Sequence, residues 1–202
     1  MWAIVTDGSI TKILNRPKGL IIDDIQYSRK IFELWSASEL EAKGIYEVVF
    51  DNTNKKDEEY YKNTSQSFAF AGGVVTASYG SSTAKAHADA LFTAQDESDG
   101  LGTEGEVKTE GLKTIKIRQI KKQAAGELAN TDWYIVRKAD AGTAIPSAIT
   151  THRAAVRTKC AEMETAITNA SNTPAIETLY TYTEQEDGSF TRPLGELPTL
   201  GV

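Results

Sequence analysis

A single cysteine, Cys160, stands among the 202 residues, which excludes a disulfide within the chain. It falls on a helical apolar stripe, the place of a small core residue rather than a nucleophile. Histidine is nearly as scarce: His87 and His152 have no histidine or cysteine at metal-ligand spacing, so no metal site is expected. His152 lies near the apolar seam of a predicted helix, where a structural role is the simpler reading. No serine sits in a Gly-x-Ser-x-Gly elbow and no Walker loop occurs. Gly100, Gly102 and Gly105 stand in an acidic segment that repels phosphate rather than cradling it. Neighbouring carboxylates occur at Asp23-Asp24, Asp57-Glu58-Glu59 and Asp96-Glu97, all in predicted loops or turns, so no catalytic residue and no cofactor are expected. No apolar run approaches a membrane span. The opening MWAIVTDGSITKIL has no basic stretch ahead of an apolar one, so a signal peptide is not expected.

The charge points the same way. With 22 Lys and Arg against 28 Asp and Glu, the net charge is −6, so nucleic acid is not an expected partner, and without a spanning run neither is a membrane. Hydrophobic residues make up 40%, enough to bury a core.

The first part reads as β-rich. Trp2–Val5 and Ile10–Leu14 flank Asp7-Gly8, a two-residue turn signal. Gly19–Asp23 suggests a third strand, and Ile45–Phe50 alternates as a half-buried strand does. Gln66–Phe70 and Val74–Tyr79 flank Gly72-Gly73, a second hairpin signal. Between them Ser36 and Glu39 have capping-box spacing for a short helix ending at Gly44. Ser81–Ala94 is Ala-rich and reads as helical. Residues 1–94 are thus expected to form an antiparallel β-rich domain, followed at 95–110 by an acidic, Gly-rich linker without order of its own.

Residues 111–172 carry helical periodicity. Ile117, Ile120, Ala124, Leu128, Thr131 and Ile135 fall at three- and four-residue steps, predicting one helix over Leu112–Ala139. Gly142 and Pro146 stop it, and Ser147 is placed to cap the next helix. There Ile149, Val156, Cys160, Met163 and Ile167 repeat the steps. Two such helices make an antiparallel hairpin with a narrow apolar seam, whose open side must meet the N-terminal sheet or a second chain. The basic residues Lys113, Lys116, Arg118, Lys121 and Lys122 then occupy the opposite side, as a solvated face or as a contact for acidic groups of a partner or of the linker. In residues 173–202, alternation around Asp187-Gly188 predicts a β-hairpin followed by an extended tail. The fold class is therefore α+β.

One run carries more than fold. TDWYIVRKADAGTAIPSAITTHRAAVR, residues 131–157, sets Trp133, Arg137, Arg153 and Arg157 around the predicted helical turn. Arginine beside tryptophan is a favoured pair at protein contacts, supplying apolar area, stacking and bidentate donors. The same residues can instead clip the two helices together. Thr-Asp-Trp, an arginine four residues on, a Gly-x-x-Ile-Pro turn and an Arg-bearing helix resemble the C-terminal module of bacteriophage tail assembly chaperones and tail-fibre-associated proteins, over residues 110–160. The phrases IFELWSASEL and GIYEVVF are similar to leaders of phage tail-fibre-related proteins. The resemblance implies a non-enzymatic tail or tail-fibre protein. Its partner-binding residues would be Thr131, Asp132, Trp133, Arg137, Arg153 and Arg157, with Gly142 and Pro146 shaping the turn. It implies other tail or tail-fibre proteins as partners, and a place in the virion tail after assembly in the host cytoplasm. A homo-oligomer through the helical seam is a further expectation. Two alternatives stand beside it: a transient tail-fibre assembly chaperone, and a receptor- or carbohydrate-binding module using Trp2, Trp35 and Tyr79.

Overall fold

A computed structural model describes residues 1–201 of the chain. The fold is mixed α+β and divides into two compact units, Met1–Thr83 and the remainder from Ala84 onward.

In the first unit, β1 (Trp2–Thr6) and β2 (Ser9–Leu14) pair antiparallel. Asp7 and Gly8 between them both have positive φ, 50° and 74°, as the tight turn requires. A second hairpin, β3 (Leu20–Ile22) and β4 (Ile25–Tyr27), turns through Asp23 and Asp24, again both at positive φ. That carboxylate pair is therefore turn chemistry, with Asp23 reaching Lys43 at 3.5 Å. Two short helices follow, α1 (Ile31–Leu34) and α2 (Ala37–Glu41). The capping box of α2 forms as its sequence implies: Glu39 N donates to Ser36 Oγ and Ser36 N donates to Glu39 Oε2 at 2.8 Å.

β5 (Ile45–Asp51), β6 (Tyr61–Lys62), β7 (Gln66–Ala71) and β8 (Val74–Tyr79) come next. β9 (Thr83–Ala84) pairs with β6. The main sheet has the order β2-β1-β5-β8-β7. Its pairs are antiparallel except β5 with β8, which run parallel. Alternation along β1 and β5 sorts side chains to two faces. Ala3, Val5, Val48, Val75 and Ala77 form one cluster, and Leu14, Leu20, Ile31, Leu40 and Ile45 form the other beneath the short helices.

The second unit departs from the sequence-based expectation at its start. The Ala-rich stretch 81–94 is not a helix; it holds β10 (Ala90–Leu91) and leads into α3 (Ala94–Ser98). Its extended backbone has another use, closing the start of α4 (Leu112–Ala129). Leu112 N donates to Ala86 O and Lys113 N to His87 O, both at 3.0 Å. The Asp89 carboxylate accepts from Gly111 N at 2.6 Å and from Thr114 Oγ1 at 2.8 Å. A helix start leaves N–H groups without partners, and supplying them outweighs the weak helical preference of the alanines. Gly111 is required there, because a Cβ would lie 2.3 Å from the Ala88 carbonyl carbon.

The acidic segment 95–110 is ordered as well. β11 (Val107–Thr109) pairs antiparallel with β10. Thr93 and Asp96 make a capping box on α3. Lys108 Nζ binds Asp96 Oδ1 at 2.6 Å, and the Phe92 ring fills the space beside Gly102. One ion pair, one cap and one ring thus order a stretch whose composition alone argued for none.

The long helices form the expected antiparallel pair, α4 against α6 (Ser147–Asn169), but the first does not run to Ala139. It breaks at Asn130–Thr131, and α5 (Asp132–Ala141) sets off separately. Gly142 closes α5 at φ 68°. Ser147 makes no cap: it is the first residue of α6, preceded by Pro146 in extended conformation. After α6 comes a helix the sequence reading missed, α7 (Thr173–Tyr180), whose N-cap Asn172 accepts from Ala175 N at 2.9 Å. The predicted terminal hairpin is present as β12 (Thr183–Glu184) and β13 (Phe190–Thr191).

The seam residues Ile120, Ala124, Val156, Cys160, Met163 and Ile167 are buried together with Leu194. Leu179 and Tyr180 of α7 and Leu197 of the tail pack on the same cluster. The open side of the seam is thus covered by the chain itself. Burial, followed by a hydrogen bond to Glu164, raises the Cys160 thiol above its ordinary pKa, which disfavours the thiolate.

The Asp96 carboxyl is held down to about 2, first by Lys108 and then by the Thr93 cap. A carboxyl with a depressed folded-state pKa adds stability above its unfolded value of 3.8 and loses it as pH falls toward about 2. Asp96→Asn should therefore lower the melting temperature of the full chain near neutral pH, with the gap to wild type closing over that acid window. A gap that stays constant down to pH 2 contradicts the assignment.

Candidate functional site

The corner between α4 and α5 is built on one arginine. Arg153 lies in the second turn of α6 and is 7% exposed. Its Nη1 donates to Leu128 O at 2.8 Å and to Thr131 Oγ1 at 2.7 Å, and pairs with Asp132 Oδ1 at 2.8 Å. Thr131 Oγ1 in turn donates to Leu128 O at 2.9 Å. Leu128 O, at the end of α4, already accepts from Thr131 N at 3.0 Å, and the guanidinium from the facing helix adds a charged donor. A buried cation is tolerated only when paired and hydrogen-bonded, and Thr131 and Asp132 meet that condition. Thr131 is itself 1% exposed.

This explains why the helix breaks early. Leu128, Thr131 and Ile135 keep helical spacing, so the apolar stripe reads straight through. Thr131 leaves the helical region, at φ −119° and ψ 3°, with its side chain committed to Leu128 O and Arg153. The stripe therefore ends in the node, and Ile135 beyond it is 41% exposed.

Trp133 and Arg137 share the far side of α5. The Arg137 guanidinium lies 4.6 Å from the Trp133 ring centre and 5.3 Å from that of Tyr134. Arg137 stacks on these rings instead of bridging to Asp132 or Asp140, and its Nε is buried without a hydrogen-bond partner. No residue of α5 is buried: Trp133 is 51% and Val136 66% exposed. An apolar helix surface left open in this way is the usual mark of a contact for another molecule.

Of the six residues singled out from sequence, the structure brings Thr131, Asp132 and Arg153 into one node. It sets Trp133 and Arg137 together outside that node. Arg157 is exposed, one turn along α6, with only a long contact of 3.5 Å to Arg153 O. Trp133 therefore adjoins the break at Thr131, and the Gly142–Pro146 turn lies at the other end of α5.

Of the basic residues of α4, Arg118, Lys121 and Lys122 are exposed as expected, and Arg118 meets Glu110 of the acidic segment, whereas Lys116 and Lys113 turn inward. Lys116 is 3% exposed, with its ammonium 4.3 Å from the Tyr180 ring centre. It lies four residues from both Leu112 and Ile120 on the inward side, and α7 brings the ring to it. Lys113 Nζ donates to Thr168 O at 2.7 Å near the end of α6, and Lys121 pairs with Glu164 at 3.1 Å. Arg118 grips Glu110 through two bonds of 2.6 and 2.7 Å. These cations hold the helical unit together.

The aromatic residues proposed as a sugar platform are engaged too. Trp2 packs on Phe32 with ring centres 5.1 Å apart, and Trp35 on Tyr27 at 5.2 Å. Tyr79 is half-buried, with Lys55 over its ring at 5.7 Å. Among the described residues no group of three or more His, Cys, Asp or Glu could hold a metal ion, and no helix is long and apolar enough to cross a membrane.

Removing the guanidinium takes a charged donor from Leu128 O and Thr131 Oγ1 and the counter-charge from Asp132, whose side chain is 58% exposed. Arg153→Met should cost about 1.5–3 kcal/mol of stability in denaturant unfolding, through the lost charged hydrogen bonds. Thr131→Val, which removes the hydroxyl that accepts from Arg153 and donates to Leu128 O, should cost about 1–2 kcal/mol, and Thr131→Ser less. Equal stability of Arg153→Met and wild type contradicts this role for the node.

No protein-family model, no curated protein and no solved structure matches this chain.

Proposed function

We propose that the chain is a non-enzymatic bacteriophage tail or tail-fibre protein, a connector that docks on another tail component through α5 at the corner of its helical unit. One observation carries this reading: a ten-residue helix with no buried residue, bearing Trp133, Ile135 and Val136, is fixed at its start by a buried arginine. Large exposed aromatic area that is already positioned binds with little further loss of side-chain entropy. Arg137, held over Trp133, adds a cation at the rim.

The resemblance of residues 131–157 to tail assembly chaperones and tail-fibre-associated proteins supports the same reading and suggests the class of partner. In this reading Thr131, Asp132 and Arg153 position the surface, while Trp133, Arg137 and Arg157 meet the partner. The protein would be assembled in the host cytoplasm and remain in the virion tail.

Trp133→Ala should leave stability within about 0.5 kcal/mol of wild type, since the indole is half exposed. It should lower the affinity for the tail by about 2 kcal/mol, roughly thirtyfold. Mass spectrometry of purified particles, comparing tagged wild-type and variant chains, reads this as a loss of incorporation. Wild-type protein absent from mature particles would instead favour a transient assembly chaperone.

A further inference from the structure

The second unit carries two exposed apolar patches of opposite electrostatic character. On α5, Trp133, Val136 and Arg137 share one face by their spacing of three and four. The negative charge at the start of that helix, Asp132, is taken by Arg153. On α5 Arg137 and Lys138 then outnumber Asp140, and among the described residues neither stands in an ion pair.

The other patch is the β10–β11 ladder. Leu91 and Val107 are direct cross-strand partners, so their side chains lie on the same side, 50% and 48% exposed. Around them the segment carries Glu97, Asp99, Glu104 and Glu106, none of them in an ion pair among the described residues. Lys108, the one cation between Ala90 and Gly111, is taken up by Asp96 at 2.6 Å. An apolar centre with an acidic rim complements an apolar centre with a basic rim.

We propose that α5 of one copy docks on the β10–β11 ladder of a second copy, head to tail. This deepens the docking role given to α5 above, rests on it, and names the partner as the chain itself. Each copy offers both halves of the contact, so the interface is heterologous and propagates into a ring or an open chain of subunits. It differs from a homo-oligomer through the helical seam, whose residues are covered within one chain. Rim charges of opposite sign make the association salt-sensitive.

Sedimentation velocity of the full chain over a concentration series, at low and high salt, tests this. Wild type should self-associate, more weakly at high salt. Val136→Asp spoils α5 and spares the ladder; Leu91→Lys does the reverse. Each alone should associate at least tenfold more weakly. Mixed in equal amounts, they should associate again and stop at a dimer, because only one intact pair of surfaces remains. Wild type that stays monomeric at every concentration, a single variant that associates like wild type, or a mixture that stays monomeric would overturn the proposal. Circular dichroism checks that both variants fold; if either does not, the exposed charge reversals Lys138→Glu and Glu106→Lys are read the same way. Monomeric wild type whose Trp133→Ala variant still fails to enter particles would sink self-docking and leave the connector role standing.

Discussion

The helical unit turns on a guanidinium buried where a helix ends. A helix terminus inside a protein leaves carbonyl groups in need of donors, and an arginine inside a protein needs acceptors and a counter-charge. At the α4–α5 corner the carbonyl of Leu128, already met by Thr131 N, serves with the Thr131 hydroxyl and Asp132 as the acceptor set of the arginine. Arg153 reaches Leu128 O, Thr131 Oγ1 and Asp132 Oδ1 within 2.7 to 2.8 Å. The contact joins the start of α6 to the end of α4, so it sets the register of the antiparallel pair as well as the bend.

The same logic operates at the other end. The first N–H groups of α4 are met by Ala86 O, His87 O and the Asp89 carboxylate. Lys113 reaches the Thr168 carbonyl near the end of α6. Between these ends, Ile120, Ala124, Val156, Met163 and Ile167 supply the apolar contact, and Leu194 with α7 covers the side a two-helix hairpin leaves open. α4 is held along its whole length, and α5 alone among the longer helices buries nothing. The combination of a fixed base and an open surface is what a docking element requires: the position of the surface is settled before the partner arrives, so less conformational entropy is lost on binding.

Local signals were legible where they act locally. Asp7-Gly8 and Gly72-Gly73 mark turns because positive φ suits these residues, and both hairpins form there. Ser36 and Glu39 satisfy each other within one helical turn. Signals settled by distant residues were not legible. The break at Thr131 depends on an arginine 22 positions later, while the stripe of residues 128, 131 and 135 argues for continuity. Lys116 reads as a surface charge because the ring that covers it belongs to α7, a helix hidden behind the alternating Tyr-Thr-Tyr-Thr. Asn172 and Pro174 spell the start of that helix, a side-chain cap followed by proline in the first turn. Of the site, the identities of Thr131, Asp132, Trp133, Arg137, Arg153 and Arg157 stood out in the sequence. Their division into a buried node and an exposed face did not, since spacing reveals which residues share a helix side but not which side the rest of the chain covers.

Arg153 fixes α5 in place. Hydrogen–deuterium exchange of the intact wild-type and Arg153→Met chains, resolved by segment, measures it directly. The account predicts faster exchange across the end of α4 and all of α5 in the variant, with the first unit unchanged. Equal exchange in α5 of the two chains would contradict it.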